Sequence, residues 1–156
     1  MKYIVSLIVE NKHGVLAKVS QVITGRGYNI TTLTVGPSEQ ADTSRMIITF
    51  DAEEGLIEQI LKQMNKLIDV IKVSLIDEKD KIERELALIR MRRKSDTEES
   101  LMRVIHVFEG RIVGMTPKEI IAEFTGQCSE IDNIIENLKP YGVKEFMRSG
   151  PMALSS

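Results

Sequence analysis

Lys2-Tyr3-Ile4-Val5-Ser6-Leu7-Ile8-Val9-Glu10 is a nearly unbroken apolar run, closed by Asn11-Lys12-His13-Gly14. A run of this length ending in a polar, glycine-containing turn reads as a buried strand. Beyond the turn, Val15, Leu16, Val19, Val22 and Ile23 recur at i, i+1, i+4, i+7 and i+8. That is one apolar stripe on a helix, which Gly25 and Gly27 terminate. Tyr28 to Val35 resumes as a strand, Gly36-Pro37-Ser38 breaks it, and Arg45 to Phe50 forms the return arm of a long hairpin. Leu56, Ile57, Ile60, Leu61, Met64 and Leu67 make a second helical stripe, and Ile71, Val73 and Leu75 alternate in a fourth strand. The order β-α-β-β-α-β in about 77 residues is the ferredoxin-like split βαβ unit, an antiparallel sheet with both helices on one face. The right-handed crossover rule leaves few other ways to wind it.

The same grammar then repeats from Lys79. Glu83 to Met91 reads as a strand, with a helical opening at Lys81-Ile82-Glu83-Arg84 as the alternative. Ser95 with Glu98 forms a capping-box pattern ahead of the stripe Leu101, Met102, Ile105 and Phe108, which Gly110 closes. Arg111 to Met115 and Glu119 to Thr125 are two strands about Thr116-Pro117-Lys118. Ile131, Ile134, Ile135 and Leu138 form the last helical stripe, and Val143 to Met147 the last strand. Gly150 to Ser156 reads as a loose tail. The expected fold is therefore α+β, two tandem ferredoxin-like βαββαβ domains, residues 1–78 and 79–156.

Composition narrows the function. With 156 residues, 21 basic and 23 acidic side chains and 42% apolar residues, the chain has the make-up of an ordinary globular protein of one or two small domains. No run approaches the roughly 18 apolar residues of a membrane span, and the first ten residues do not read as an export signal, so a cytoplasmic location is expected. Cys128 stands alone and cannot form an internal disulfide. His13 and His106 have no ligand partner nearby in sequence, so no metal site is expected. A net charge of −2, no Trp and seven aromatics argue against a nucleic-acid partner. The halves carry 8 basic and 10 acidic groups against 13 and 13, too small a difference to imply distinct partners. Arg90-Met91-Arg92-Arg93-Lys94 is the densest charge run, read as a solvated strand end or, more sharply, as a docking patch for an acidic partner. No nucleophile, general base or phosphate-binding glycine loop is evident.

Two segments are candidates for binding. In Asn11-Lys12-His13-Gly14-Val15-Leu16 a glycine stands where strand hands over to helix, either as a plain tight turn or as an opening for a ligand. The first-turn N–H groups of the helix favour a carboxylate there, and Asn11 could meet an ammonium or amide. Arg26-Gly27-Tyr28-Asn29-Ile30 is a helix stop and strand entry, in which Asn29 is the residue least explained by local structure.

These residues carry a resemblance. Glu10 to Leu16, Arg26 to Gly36, Ser44-Arg45-Met46, Glu58-Gln59-Ile60 and Lys66 to Val70 resemble the small regulatory subunits of acetohydroxy acid synthase (acetolactate synthase). Glu83-Arg84-Glu85-Leu86, Phe108 to Val113 and Arg148-Ser149-Gly150 look like that family's second half. The resemblance implies an ACT domain followed by an ACT-like domain, with no catalytic residue of its own. It implies a partner, the thiamine-diphosphate-dependent catalytic subunit, on which thiamine diphosphate, Mg and FAD would reside. It further implies activation of that subunit and feedback inhibition by a branched-chain amino acid, usually valine, bound between the N-terminal domains of a homodimer. The effector contacts implied are Asn11, Gly14, Val15 and Leu16 from one chain and Asn29 and Ile30 from the other. Such an effector needs a carboxylate site, an ammonium acceptor and an apolar cup, for which Val15, Leu16 and Ile30 are suited. The alternative is a stand-alone amino-acid sensor acting on another enzyme or on transcription.

Overall fold

β1, Lys2–Glu10, is one of the two inner strands of the first sheet, and all six residues from Ile4 to Val9 are buried. The element order continues α1 Val15–Thr24, β2 Ile30–Pro37, β3 Thr43–Asp51, α2 Ile57–Asn65 and β4 Val70–Ile76. A computed structural model describes residues 1–156 in full. The strands lie in the order β2-β3-β1-β4, each antiparallel to its neighbour. Alternate residues of β1 divide between the faces, as the two-residue strand period requires. Val5, Leu7 and Val9 join Val15, Val19 and Ile23 of α1 and Ile60 and Met64 of α2 in one core. Ile4 faces the other way, against Ile47, Ile76 and Ala153.

The second unit repeats the plan with β5 Lys81–Arg92, α3 Glu98–Val107, β6 Arg111–Met115, β7 Glu119–Gly126, α4 Cys128–Leu138 and β8 Val143–Arg148, in the strand order β6-β7-β5-β8. Its central strand differs from β1. Glu83, Glu85, Ala87, Ile89 and Met91 are buried, while Arg84, Leu86 and Leu88 are exposed. Strict alternation marks a strand covered on one face, and an unbroken apolar run marks one covered on both. What covers the second face of β1 is the chain's own last segment.

That segment corrects one expectation. Residues 150–156 are not a loose tail: Met152–Ser155 form β9, which pairs with β5, and the Ser156 N–H bonds to the Asp80 carbonyl at 2.7 Å. The compact units are Met1–Ile82 with Met152–Ser156, and Glu83–Pro151. The reason is burial, since Ala153 is 4% exposed over Ile4, Ile47 and Ile76. The capping box also lies elsewhere than expected. Thr97, not Ser95, precedes α3, and it makes no side-chain cap. The reciprocal pair is Gln127 with Glu130 at the start of α4, where the Glu130 carboxylate accepts the Gln127 N–H at 2.6 Å.

Candidate functional site

α1 starts without the usual cap. Gly14 stands at its N-cap with φ 80° and ψ −4°, a left-handed conformation that favours glycine, and no side chain caps the first turn. The first intrahelical bond is from Lys18 N–H to the Gly14 carbonyl at 3.1 Å, so the N–H groups of Val15, Leu16 and Ala17 have no partner within the helix. No acidic residue occupies that turn. Beside it opens a hollow of ≈ 450 Å³ lined by Asn11, Lys12 and His13. The approach of an anion is eased by the neighbours. Lys12 pairs with Glu10 at 2.6 Å and Lys18 with Asp69 at 2.9 Å, so both carboxylates flanking the turn are already matched by a cation. Hydrogen bonding from Lys18 holds the Asp69 carboxyl below the usual range against a smaller opposing effect of burial, and Glu10 correspondingly raises Lys12.

The six candidate residues fall into two groups. Asn11 and Gly14 are exposed at the end of β1, and Leu16 is 44% exposed. Val15 is 3% exposed, with its side chain in the core, so that side chain cannot form part of an open apolar cup. Asn29 is exposed and Ile30 half-buried at the start of β2. Ile30 pairs with Phe50, which pairs with Tyr3, whereas Thr43 pairs with Glu10. The two groups therefore lie at opposite ends of β1, about 23 Å apart at roughly 3.3 Å per residue. One small ligand cannot touch both groups of a single chain.

The corresponding turn of the second unit is unlike the first. Glu98 and Glu99 occupy the start of α3, and Arg93 pairs with Glu98 at 3.0 Å. Its N-terminus already has its own carboxylates. The basic run is likewise committed. Arg90 bridges Glu119 at 2.8 Å and Glu145 at 2.6 Å, and Arg93 also donates to the Thr116 carbonyl. The docking-patch reading of residues 90–94 loses Arg90 and Arg93, two of its four charges, to these pairs.

A polar cluster in the second unit went unnoticed in the sequence. Glu85, whose side chain is 1% exposed, accepts from Arg148 Nε at 2.9 Å and Nη2 at 2.7 Å, and from the Gly150 N–H at 3.2 Å. Arg148 also reaches Asp132 at 2.5 Å and the Cys128 carbonyl at 3.3 Å. Burial pushes the Glu85 carboxyl up, but hydrogen bonds from Arg148, Cys128 and Gly150 together with the Arg148 charge outweigh it, leaving it below its ordinary value. The signal was present in the pattern, because Glu83 and Glu85 share the phase of Ala87, Ile89 and Met91. No group of three or more His, Cys, Asp or Glu side chains is placed to hold a metal ion, and no helix is long and apolar enough to cross a membrane.

Comparison with known proteins places the chain in a family. A family model described as an AHAS small subunit-like ACT domain matches residues 5–72, and one described as the small subunit of acetolactate synthase matches residues 84–156. The chain belongs to the acetolactate synthase small-subunit family. A relative from Methanothermobacter thermautotrophicus, named a probable acetolactate synthase small subunit, is 41% identical over 154 residues, covering 98% of this chain and 92% of the relative. An acetolactate synthase small subunit of Mycobacterium leprae is 40% identical over 150 residues, covering 96% and 89%. The crystal structure of the small subunit from Thermotoga maritima superposes with a TM-score of 0.91 at 37% identity, covering 100% of this chain and 98% of that one. Within the acetolactate synthase small-subunit family, then, α1 with its uncapped first turn belongs to the matched ACT domain, and the Glu85–Arg148 cluster to the matched C-terminal domain.

Proposed function

We propose that this chain is the regulatory subunit of an acetolactate synthase. It associates with a thiamine-diphosphate-dependent catalytic subunit, raises that subunit's activity and makes it sensitive to valine or a closely related branched-chain amino acid. The observation that carries the reading is the uncapped, acid-free first turn of α1, whose first three N–H groups have no partner within the helix, with the exposed Leu16 side chain on the same turn.

The separation of the two candidate groups supports a homodimer. β2 is an edge strand of eight residues without a charged side chain. An edge of that kind invites pairing with another strand. If two copies of β2 pair antiparallel about a two-fold axis, Asn29 and Ile30 of one chain come to the Gly36–Pro37 end of the other. Those residues pair with Arg45 and Ser44, next to the end of β1 that leads to Gly14. The amino acid then bridges two chains, and its binding energy favours one dimer arrangement over another, as feedback requires. A coupling of about 1–3 kcal/mol gives roughly 5- to 150-fold control.

Calorimetry with valine, leucine and isoleucine on the full chain tests this reading, with Gly14→Asp as the matched variant. The substitution places a carboxylate where the effector's would sit. The expected result is binding of at least one branched-chain amino acid to the parent and none to the variant, with activation of the catalytic subunit retained. If none of the three amino acids binds, the feedback role fails. If no thiamine-dependent enzyme co-purifies, the partnership fails.

A further inference from the structure

We propose that the cleft on the face of the first sheet opposite the helices is a second binding site, specific for a small doubly charged oxyanion. Strand register carries the argument. Arg45 of β3 and Lys72 of β4 are both paired with Ile8 of β1, so they lie on one rung and one face with a single strand between them. Two strand spacings put their backbones about 10 Å apart, close enough for two long side chains to converge above Ile8. On the next rung of that face, Ser6 pairs with Ser74 across β1 and β4. Ser6 is a hydroxyl inside an apolar run, 7% exposed, and its Oγ lies 3.4 Å from Arg45 Nη1. These groups line a cavity of ≈ 310 Å³ that Ala153–Ser155 of β9 close on one side.

Two like charges on one rung repel unless an anion lies between them. The one carboxylate lining the cleft is Glu39, which accepts from Arg45 Nη2 at 3.1 and 3.2 Å. Glu39 sits in the connection between β2 and β3, and its side chain is 71% exposed, so it holds its place weakly. Lys72 forms no close salt bridge and acts on Glu39 only through its charge. With two cations against one carboxylate the cleft retains a net positive charge. A dianion displacing Glu39 satisfies both cations and the two serine hydroxyls at once, through charge-assisted hydrogen bonds. Both cations and both hydroxyls stand on paired strands, and only Glu39 need move, so the site is preorganised. This site is independent of the amino-acid site proposed above, which lies on the helix face.

The test is titration of the full chain with inorganic phosphate and, separately, succinate, followed through backbone amide chemical shifts. The two arms distinguish a compact phosphate-type ligand from a dicarboxylate. The expected result is saturable shifts at Ser6, Arg45, Lys72 and Ser74 for at least one anion, weakening as salt rises. Arg45→Gln and Lys72→Gln should each weaken binding about tenfold, the loss of one charge-assisted contact. Glu39→Gln should tighten it several-fold, and Gly14→Asp should leave it unchanged. Lys72 is exposed, so its variant stays informative if the Arg45 variant folds poorly. The proposal is overturned if neither anion shifts these amides at about 20 mM, if the shifts appear only at Val15–Ala17, or if the Glu39 and Lys72 variants bind within twofold of the parent.

Discussion

Replacing Arg148 by Met keeps the aliphatic stem in place and removes the guanidinium from Glu85. Two bonds to Glu85, at 2.9 and 2.7 Å, are lost, together with those to Asp132 and the Cys128 carbonyl. The Asp132 bond is a minor loss, because that side chain is 63% exposed. The main cost is a carboxylate, 1% exposed, left with the Gly150 N–H and Cys128 for company. Orphaning one partner of a buried pair costs about 3–5 kcal/mol, and the partial exposure of Arg148 lets water recover some of it, so about 3 kcal/mol is expected at neutral pH. At a urea slope of about 2 kcal/mol per molar, that lowers the unfolding midpoint by about 1.5 M.

The pH dependence has a definite sign. In the parent, the Glu85 carboxyl is held below its unfolded value of about 4.3, so its contribution is present above that pH and is lost as pH falls through the folded value. In the variant, burial without the cation raises the folded value above the unfolded one. Its penalty is therefore largest at neutral pH and shrinks as acid supplies the proton. The gap between parent and variant should be widest near pH 7.5 and clearly narrower near pH 5. Adding Glu85→Gln to Arg148→Met should restore part of the loss, because the amide carries no charge to bury. Urea melts of the three proteins at both pH values decide the matter. A gap under about 1 kcal/mol at neutral pH, or one that does not narrow in acid, would refute the reasoning.

Gly110→Ala should destabilise the chain by about 1–3 kcal/mol in a thermal melt, since a Cβ there would lie 2.3 Å from the ring of Phe124, itself 1% exposed. Ala153→Asp places a carboxylate against Ile4, Ile47 and Ile76; detachment of β9 caps the penalty at about 2 kcal/mol, and proteolysis near residues 150–156 should accelerate. Glu130→Ala removes the acceptor of the Gln127 N–H and should cost about 1 kcal/mol, read as earlier hydrogen exchange in the first turn of α4. Leu7→Ala, in the middle of β1 and fully buried, should cost about 2–5 kcal/mol in chemical denaturation.

The amino-acid sequence determined the element order, and it did so through local periodicity. The run Ile4–Val9, the stripes of α1, α2 and α4 and the alternation of β5 each record how many sides of an element are covered. That record is written within a dozen residues, and it was enough to read two βαββαβ units; the family resemblance rests instead on particular motifs such as Arg26-Gly27-Tyr28-Asn29-Ile30. The periodicity also marked Gly14 as the point where strand hands over to helix, while the missing cap there is seen only in the structure. Periodicity is silent about which distant segment does the covering. Ala153 reaches Ile4 across nearly the whole chain, and nothing in Gly150–Ser156 taken alone distinguishes a strand from a tail. Glu85 and Arg148 are 63 residues apart; the phase of β5 marks Glu85 as inward-facing, but nothing local names Arg148 as its partner until the sheet brings them together. Arg45 and Lys72 become one rung only because both strands pair with β1. The same pairing sets Asn11 and Gly14 far from Asn29 and Ile30 within a chain, which local sequence cannot express because separation in space is fixed by strand register and not by spacing along the chain.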